Sequence, residues 1–345
     1  MRIPRTLAWI MIGLTLLTAG ILRQFHDGTP GSPYVSGTVG SLLFAAIFFL
    51  LLVSAREWQI GAVGGRGGKG IRLGSLTPLL LILLVEKWAS LTLYDPIFYS
   101  LAPPVASQAE YDAWYKVLGG VLLILLCVLL GAFSRPAGAR TWDRSRPSRF
   151  PAAAVATLAV VAATYGLLWM LSLALGGGLH LAWPPPQPLL IWILVGQALL
   201  AFGEEVYYRG LVLSELKRLS PRLGIRKPGL RRWFALVAMA TLFSLEHIAP
   251  GLPRQEILRQ LVFAFALGLL FGLIAIVTHN LHYAAGIHAW INWQLLGTAP
   301  GLVNDSGVAV LPPGAYIGVG LILAFLAAMV LARLRPGAPQ VHEQQ

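Results

Sequence analysis

Along this chain, long unbroken apolar runs alternate with short polar connections that are mostly basic. Ten runs read as membrane-spanning helices: 7–22, 38–55, 76–94, 117–134, 151–175, 189–214, 233–249, 258–278, 281–298 and 314–333. A helix crossing the hydrocarbon core needs ~20 mainly apolar residues, and the shorter runs fit by tilt or local thinning of the bilayer. The pattern predicts an all-α, polytopic transmembrane bundle of about ten spans. It divides into an N-terminal part, 1–188, with about five spans, a core of four to five helices over 189–300, and a last span with a short polar tail over 301–345. Ten spans place both termini on the same side.

Composition agrees with a membrane protein: 57% of the 345 residues are hydrophobic, 12% are charged and the mean hydropathy is +0.71. A soluble domain carries about 25% charged residues. The net charge of +12 would point to nucleic acid or acidic partners in a soluble protein, but here it is sorted by loop. With both termini cytoplasmic, the inner segments hold Arg2, Arg5, Arg56, Arg66, Lys69, Arg72, Arg135, Arg140, Arg144, Arg146 and Arg149. They also hold Lys217, Arg218, Arg222, Arg226, Lys227, Arg231, Arg232, Arg333 and Arg335, which makes 20 of the 26 Lys and Arg. The outer segments hold Arg23, Lys116, Arg254 and Arg259, and the spans hold Lys87 and Arg209. The charge is therefore a topology signal, and no nucleic-acid partner is implied.

Several local features have plain readings. The basic N-terminus followed by an apolar stretch could be a signal peptide, but it lacks a clean A-x-A site and is read as an uncleaved first helix. Cys127 is the only cysteine and reads as a buried or lipid-facing thiol, with no intrachain disulfide possible. The Gly-rich stretch 61–74 lacks the GxxxxGK[ST] spacing of a phosphate loop and reads as a flexible cytoplasmic connection. Pro184, Pro185 and Pro186 stiffen the loop before the sixth span. Trp88, Trp114, Trp142, Trp183 and Trp233 lie near span boundaries as interfacial anchors do.

Against this background the stretch 202–210, FGEEVYYRG, sets Glu204, Glu205 and Arg209 inside an apolar run. A charge at the bilayer centre costs ~2.5–3.5 kcal/mol even on the most permissive insertion scale, so these groups need partners within the bundle. Glu205 and Arg209, at i and i+4, share a helical face, whereas Glu204 points about 100° away. The seventh run carries Phe243 and His247 and the ninth carries His288 and Asn292, each pair again at i, i+4. His288 and Asn292 can thus present two donors to one point. Counted at ~1.5 Å per residue from the cytoplasmic boundaries, Glu204, His247 and His288 lie at roughly 10–20 Å depth, so three helices can bring polar groups to one level. Glu246 is turned about 100° from His247 and reads as a pairing residue. His279 and His282, near a boundary, read as packing residues, and Glu86 and Lys87, in the third span, read as either pairing or facing the bundle.

EExxxR (Glu204, Glu205, Arg209), FxxxH (Phe243, His247) and HxxxN (His288, Asn292), in that order on successive membrane helices, resemble the motifs of the CPBP family. These are the CAAX-processing and bacteriocin-processing intramembrane glutamic endopeptidases, also called Abi proteins. The resemblance covers about 189–298, a third of the chain. It implies a metal-independent, cofactor-free hydrolysis of a peptide bond in a membrane-associated protein or peptide, in the plasma membrane of a bacterium. By the same resemblance Glu204 is the general base that activates water and His247 helps to hold that water. His288 and Asn292 donate to the oxyanion, Glu205 and Arg209 support the site, and Phe243 packs beside it. Two preorganised oxyanion donors in a dry site are each worth ~10²–10³ in rate.

Two other classes stay open at this point. A zinc protease could use His247, His288 and a glutamate, although HExxH is absent and Asn292 is a poor zinc ligand. A transporter, scaffold or immunity protein would use the same charges as a path or a binding site, although no internal repeat is evident. Neither the substrate nor the oligomeric state follows from the sequence.

Overall fold

A computed structural model of the chain describes residues 59–60, 71–72, 79, 82–83, 108–133, 147–174, 180–183, 189–247, 253–304, 309 and 311–333. The expected spans 7–22 and 38–55 and most of 76–94, with Glu86 and Lys87, lie outside the described residues. So does the middle of the Gly-rich connection, whose flanks pair antiparallel as β1 (Gln59–Ile60) and β2 (Ile71–Arg72).

The described part is a helical bundle formed by α1 (Gln108–Phe133), α2 (Phe150–Ala174), α3 (Leu190–Leu223), α4 (Pro228–Glu246), α5 (Arg254–Thr278), α6 (Leu281–Leu295) and α7 (Pro313–Arg333). Each of the last seven expected spans is thus a helix. Five of them (α1, α2, α3, α5 and α7) are long and apolar enough to cross a bilayer. α6 has 15 residues, about 22 Å, which falls short of the ~30 Å hydrocarbon core. Its burial is nearly all round, including Leu281, Tyr283, Ala284, Ile287, His288, Trp290 and Ile291. A helix with that pattern sits inside a bundle, and α6 packs against α2, α3, α5 and α7.

Two expected boundaries move for identifiable reasons. Apolarity ends the sixth span at 214, but the helix runs on through Glu215, Lys217 and Arg218 to Leu223, where Gly224 stops it with φ 83°, a left-handed conformation suited to glycine. Hydropathy marks where a helix leaves the membrane and not where it ends. α4 restarts only four residues later with Pro228 in its first turn, so the basic segment is mostly helix and hardly loop. At the other end, α4 stops at Glu246, short of the expected 249.

The connections are also built. His279, at φ 48°, closes α5, and the Asn280 side chain accepts from the His282 backbone N–H at 3.0 Å to cap α6. Arg149, just before α2, donates to the His279 carbonyl at 2.7 Å and ties this turn to another helix. The described part is mostly helical as expected; at the opposite end a short ladder joins two connections, where β3 (His180–Ala182) pairs antiparallel with β4 (Gly301–Val303). Two neighbouring connections satisfy their backbone groups on each other there. Tyr165 from α2 donates to the Pro300 carbonyl at 2.6 Å and Tyr316 from α7 accepts from the Leu302 N–H at 2.7 Å, which pins this ladder to the bundle.

α3 is held against α1 by close backbone approach. A methyl group on Gly120 would lie 2.6 Å from the Leu199 backbone, and one on Gly203 would lie 3.1 Å from Leu123. Small residues at such crossings are the usual basis of helix association in membranes. Gly203 immediately precedes Glu204, so this contact sets the position of the polar cluster. Gly120→Ala is therefore expected to lower stability by about 1–3 kcal/mol through overpacking. Thermal unfolding in detergent measures this, and an unchanged midpoint would show that the two backbones can separate freely.

Candidate active site

Glu204 is the last residue of the first α-helical part of α3, and Glu205 opens a π-helical stretch, Glu205–Val212, that is buried throughout. Such widened turns within α-helices recur at functional sites. Inside this stretch Arg209 NH1 lies 3.1 Å from Glu205 Oε1, and both side chains have no exposure to solvent. The i, i+4 spacing thus forms the ion pair it predicts. None of the three guanidinium nitrogens meets hydrogen-bond geometry. The cation lies instead among aromatic faces, its Cζ 4.3 Å from the centroid of Phe243, 5.5 Å from Phe271 and 5.8 Å from Tyr208. Desolvated cation–π contacts of this kind reach about 2 kcal/mol or more.

The same Glu205 oxygen is 3.0 Å from His288 Nδ1, and His288 Nε2 is 3.6 Å from Glu204 Oε2. α6 thus inserts one imidazole between two adjacent carboxylates of α3. With Glu205 ionised, Nδ1 carries a proton and donates it, since a carboxylate only accepts. The ring is held by Phe271, stacked at 4.9 Å and 27°, and by the edge of Phe243 at 6.1 Å.

His247 is not inside a helix as expected. It is the first residue beyond α4, at φ −91° and ψ 9°, and its Nδ1 donates to the Phe243 carbonyl at 2.7 Å. A carbonyl can only accept, so Nδ1 holds the hydrogen and Nε2 of the neutral ring is left as an acceptor. The imidazole lies 4.3 Å from the Phe243 ring. Phe243 therefore touches both histidines as well as Arg209, a larger part than the packing position expected of it.

Asn292 has a partner on α3. Its Nδ2 donates to Gln197 Oε1 at 3.2 Å, and one turn of α6 separates it from a histidine whose nitrogens face the two glutamates. Gln197 and Phe271 are the participants that motif spacing does not reveal. Gln197 carried a signal: it is an amide alone in an apolar run, seven residues before Glu204. Phe271 carried none, being one aromatic residue in a wholly apolar stretch.

Exposure divides the cluster. Glu205, Arg209 and His288 are buried, whereas the Glu204 side chain is 19% exposed and His247 and Asn292 are half-buried. Among the described residues no group of three or more His, Cys, Asp and Glu side chains is arranged to hold a metal ion. Cys127 is buried, with its Sγ 3.9 Å from the Gly203 carbonyl, and His282 stacks on Phe202 at 5.0 Å and 4°.

Removing one partner of a buried ion pair strands the other, at about 3–5 kcal/mol. Arg209→Met is expected to destabilise the protein by that order, and adding Glu205→Gln to it should recover much of the loss. Chemical unfolding of both variants in detergent measures this; a single variant as stable as the parent would show that the pair is not desolvated.

Residues 186–294 match the family model described as Type II CAAX prenyl endopeptidase Rce1-like. No curated protein and no solved structure matched the chain. The matched segment contains every residue of the cluster, from Gln197 on α3 to Asn292 on α6. Over residues 186–294 the chain is thus similar to the Rce1-like endopeptidases, consistent with the CAAX protease and CPBP family whose motifs it bears, a similarity that supports a membrane endopeptidase in general terms.

Proposed function

We propose that the chain hydrolyses a peptide bond of a membrane-associated protein or peptide by a glutamate-activated water, without a metal. The observation that carries this reading is the placement of His288 between Glu204 and Glu205, with Glu204 the partly exposed member. One carboxylate is committed to Arg209; the other is free to act.

In this mechanism Glu204 takes a proton from water as the water oxygen attacks the scissile carbonyl carbon. The carbonyl π electrons move to oxygen, and the C–O bond that forms gives a tetrahedral oxyanion. Glu204, now a carboxylic acid, returns the proton to the amide nitrogen as the C–N bond breaks, leaving a carboxylic acid and an amine. His247, whose Nε2 is free to accept, helps to hold the water. Asn292 donates an N–H to the oxyanion. His288 joins it when both ring nitrogens carry hydrogens, Nδ1 serving Glu205 and Nε2 serving the oxyanion. Behind His288, Arg209 and Glu205 form a fully buried ion pair, where preorganised electrostatics act most strongly.

The family description names a prenyl endopeptidase, and a prenylated C-terminal segment embedded in the membrane fits a site built from membrane helices. The probe of choice is a farnesylated peptide ending in a Cys and three further residues. Glu204→Gln and His247→Ala are each expected to reduce its cleavage, by about 10²–10⁴-fold for loss of general base catalysis. Normal cleavage by either variant would refute the assigned role. Cleavage is also expected to persist in EDTA; loss on chelation with recovery on adding zinc would replace the glutamate mechanism by a metal one.

A further inference from the structure

Gln197 lies two turns before Glu204 on the same face of α3, is 4% exposed, and accepts from Asn292 Nδ2 at 3.2 Å through its Oε1. A primary amide can present either end to a substrate, because rotation about its last side-chain bond exchanges the NH₂ and C=O groups. The two ends have opposite effects on a developing oxyanion: an N–H stabilises it and a carbonyl oxygen repels it. With Gln197 Oε1 facing Asn292, the flipped amide would set two oxygens against each other. Opposite Gln197 Oε1, only the observed orientation of the Asn292 amide pairs a donor with an acceptor.

We propose that Gln197 is a positioning residue that fixes the amide of Asn292, so that the second Nδ2–H is held ready for the oxyanion. The inference rests on the oxyanion role given to Asn292 above. Gln197 touches neither water nor substrate in this scheme and acts only through Asn292. The surrounding register does not depend on it, because Trp293 Nε1 donates to the Leu194 carbonyl at 3.2 Å and ties the same two helices one step away. Replacing Gln197 by the nearly isosteric methionine therefore removes an acceptor and leaves α3 and α6 in place.

The test is a double-mutant cycle on cleavage of the farnesylated peptide, with kcat and KM measured for Gln197→Met, Asn292→Ala and the pair. Gln197→Met is expected to lower kcat about tenfold, the scale of one lost hydrogen bond, with KM within about twofold. Asn292→Ala is expected to lower kcat by about 10²–10³. The double variant should be no slower than Asn292→Ala alone, a non-additivity that general loosening of the bundle would not produce. If Gln197→Met keeps the parent kcat, or if the two losses multiply, Gln197 does not act through Asn292 and the inference is overturned while the oxyanion reading stands. If Asn292→Ala keeps the parent kcat, or if the parent leaves the peptide uncleaved, the oxyanion reading fails and takes this inference with it. Gln197→Leu, judged by the same criteria, serves in place of methionine should that variant not be extracted as a monodisperse protein.

Discussion

The desolvated charge of Arg209 is the constraint around which the rest is arranged. A guanidinium with no exposure to solvent, inside a helix that crosses a bilayer, must be neutralised and covered. Glu205 neutralises it from one turn away, and Phe243, Phe271 and Tyr208 cover it with aromatic faces contributed by three helices. Two of those rings then hold the histidines, Phe243 both of them and Phe271 His288. The covering of one cation therefore also orients the two histidines, and a change made to protect the charge would disturb the chemistry.

Burial sorts the cluster into an inner and an outer portion. The inner portion, Arg209, Glu205 and His288, is closed to solvent, with the Arg209 charge neutralised by Glu205. The outer portion, Glu204, His247 and Asn292, retains surface and has acceptors or donors to spare. Each outer group is anchored to a buried side chain or to the backbone: Glu204 faces His288, His247 is tied to the Phe243 carbonyl and Asn292 to Gln197. Rigid support behind a partly open face is what preorganised catalysis asks of a site.

Much of this was legible because helix periodicity is a strong rule wherever the helix is unbroken. The pairing of Glu205 with Arg209 and the sharing of one helix by His288 and Asn292 follow from i, i+4 spacing alone. The rest depends on facts that spacing does not carry. That His288 bridges two glutamates is a matter of how α6 crosses α3. The end of α4 at Glu246 reflects Pro250, which disfavours a helical conformation for the residue before it, although Ile248 and Ala249 extend the apolar run. The role of Gln197 is invisible to motif spacing because its partner lies 95 residues away.

The π-helical stretch Glu205–Val212 makes the geometry of α3 sensitive to chain length in a way an ordinary helix is not. A π turn accommodates an additional residue within an otherwise α-helical rod, so shortening this segment by one position would let it relax to regular α-helix. Relaxing to regular α-helix at unchanged length would instead turn everything beyond it, from Leu213 to Leu223, by about 100° relative to Glu204. Buried Glu215 and its partner Arg218, 2.6 Å apart, would be carried onto a different face. The segment is in effect an adjustable joint: the half of α3 that packs against α1 and the half that turns into α4 can each keep their best contacts because the register between them is set here and nowhere else along the helix.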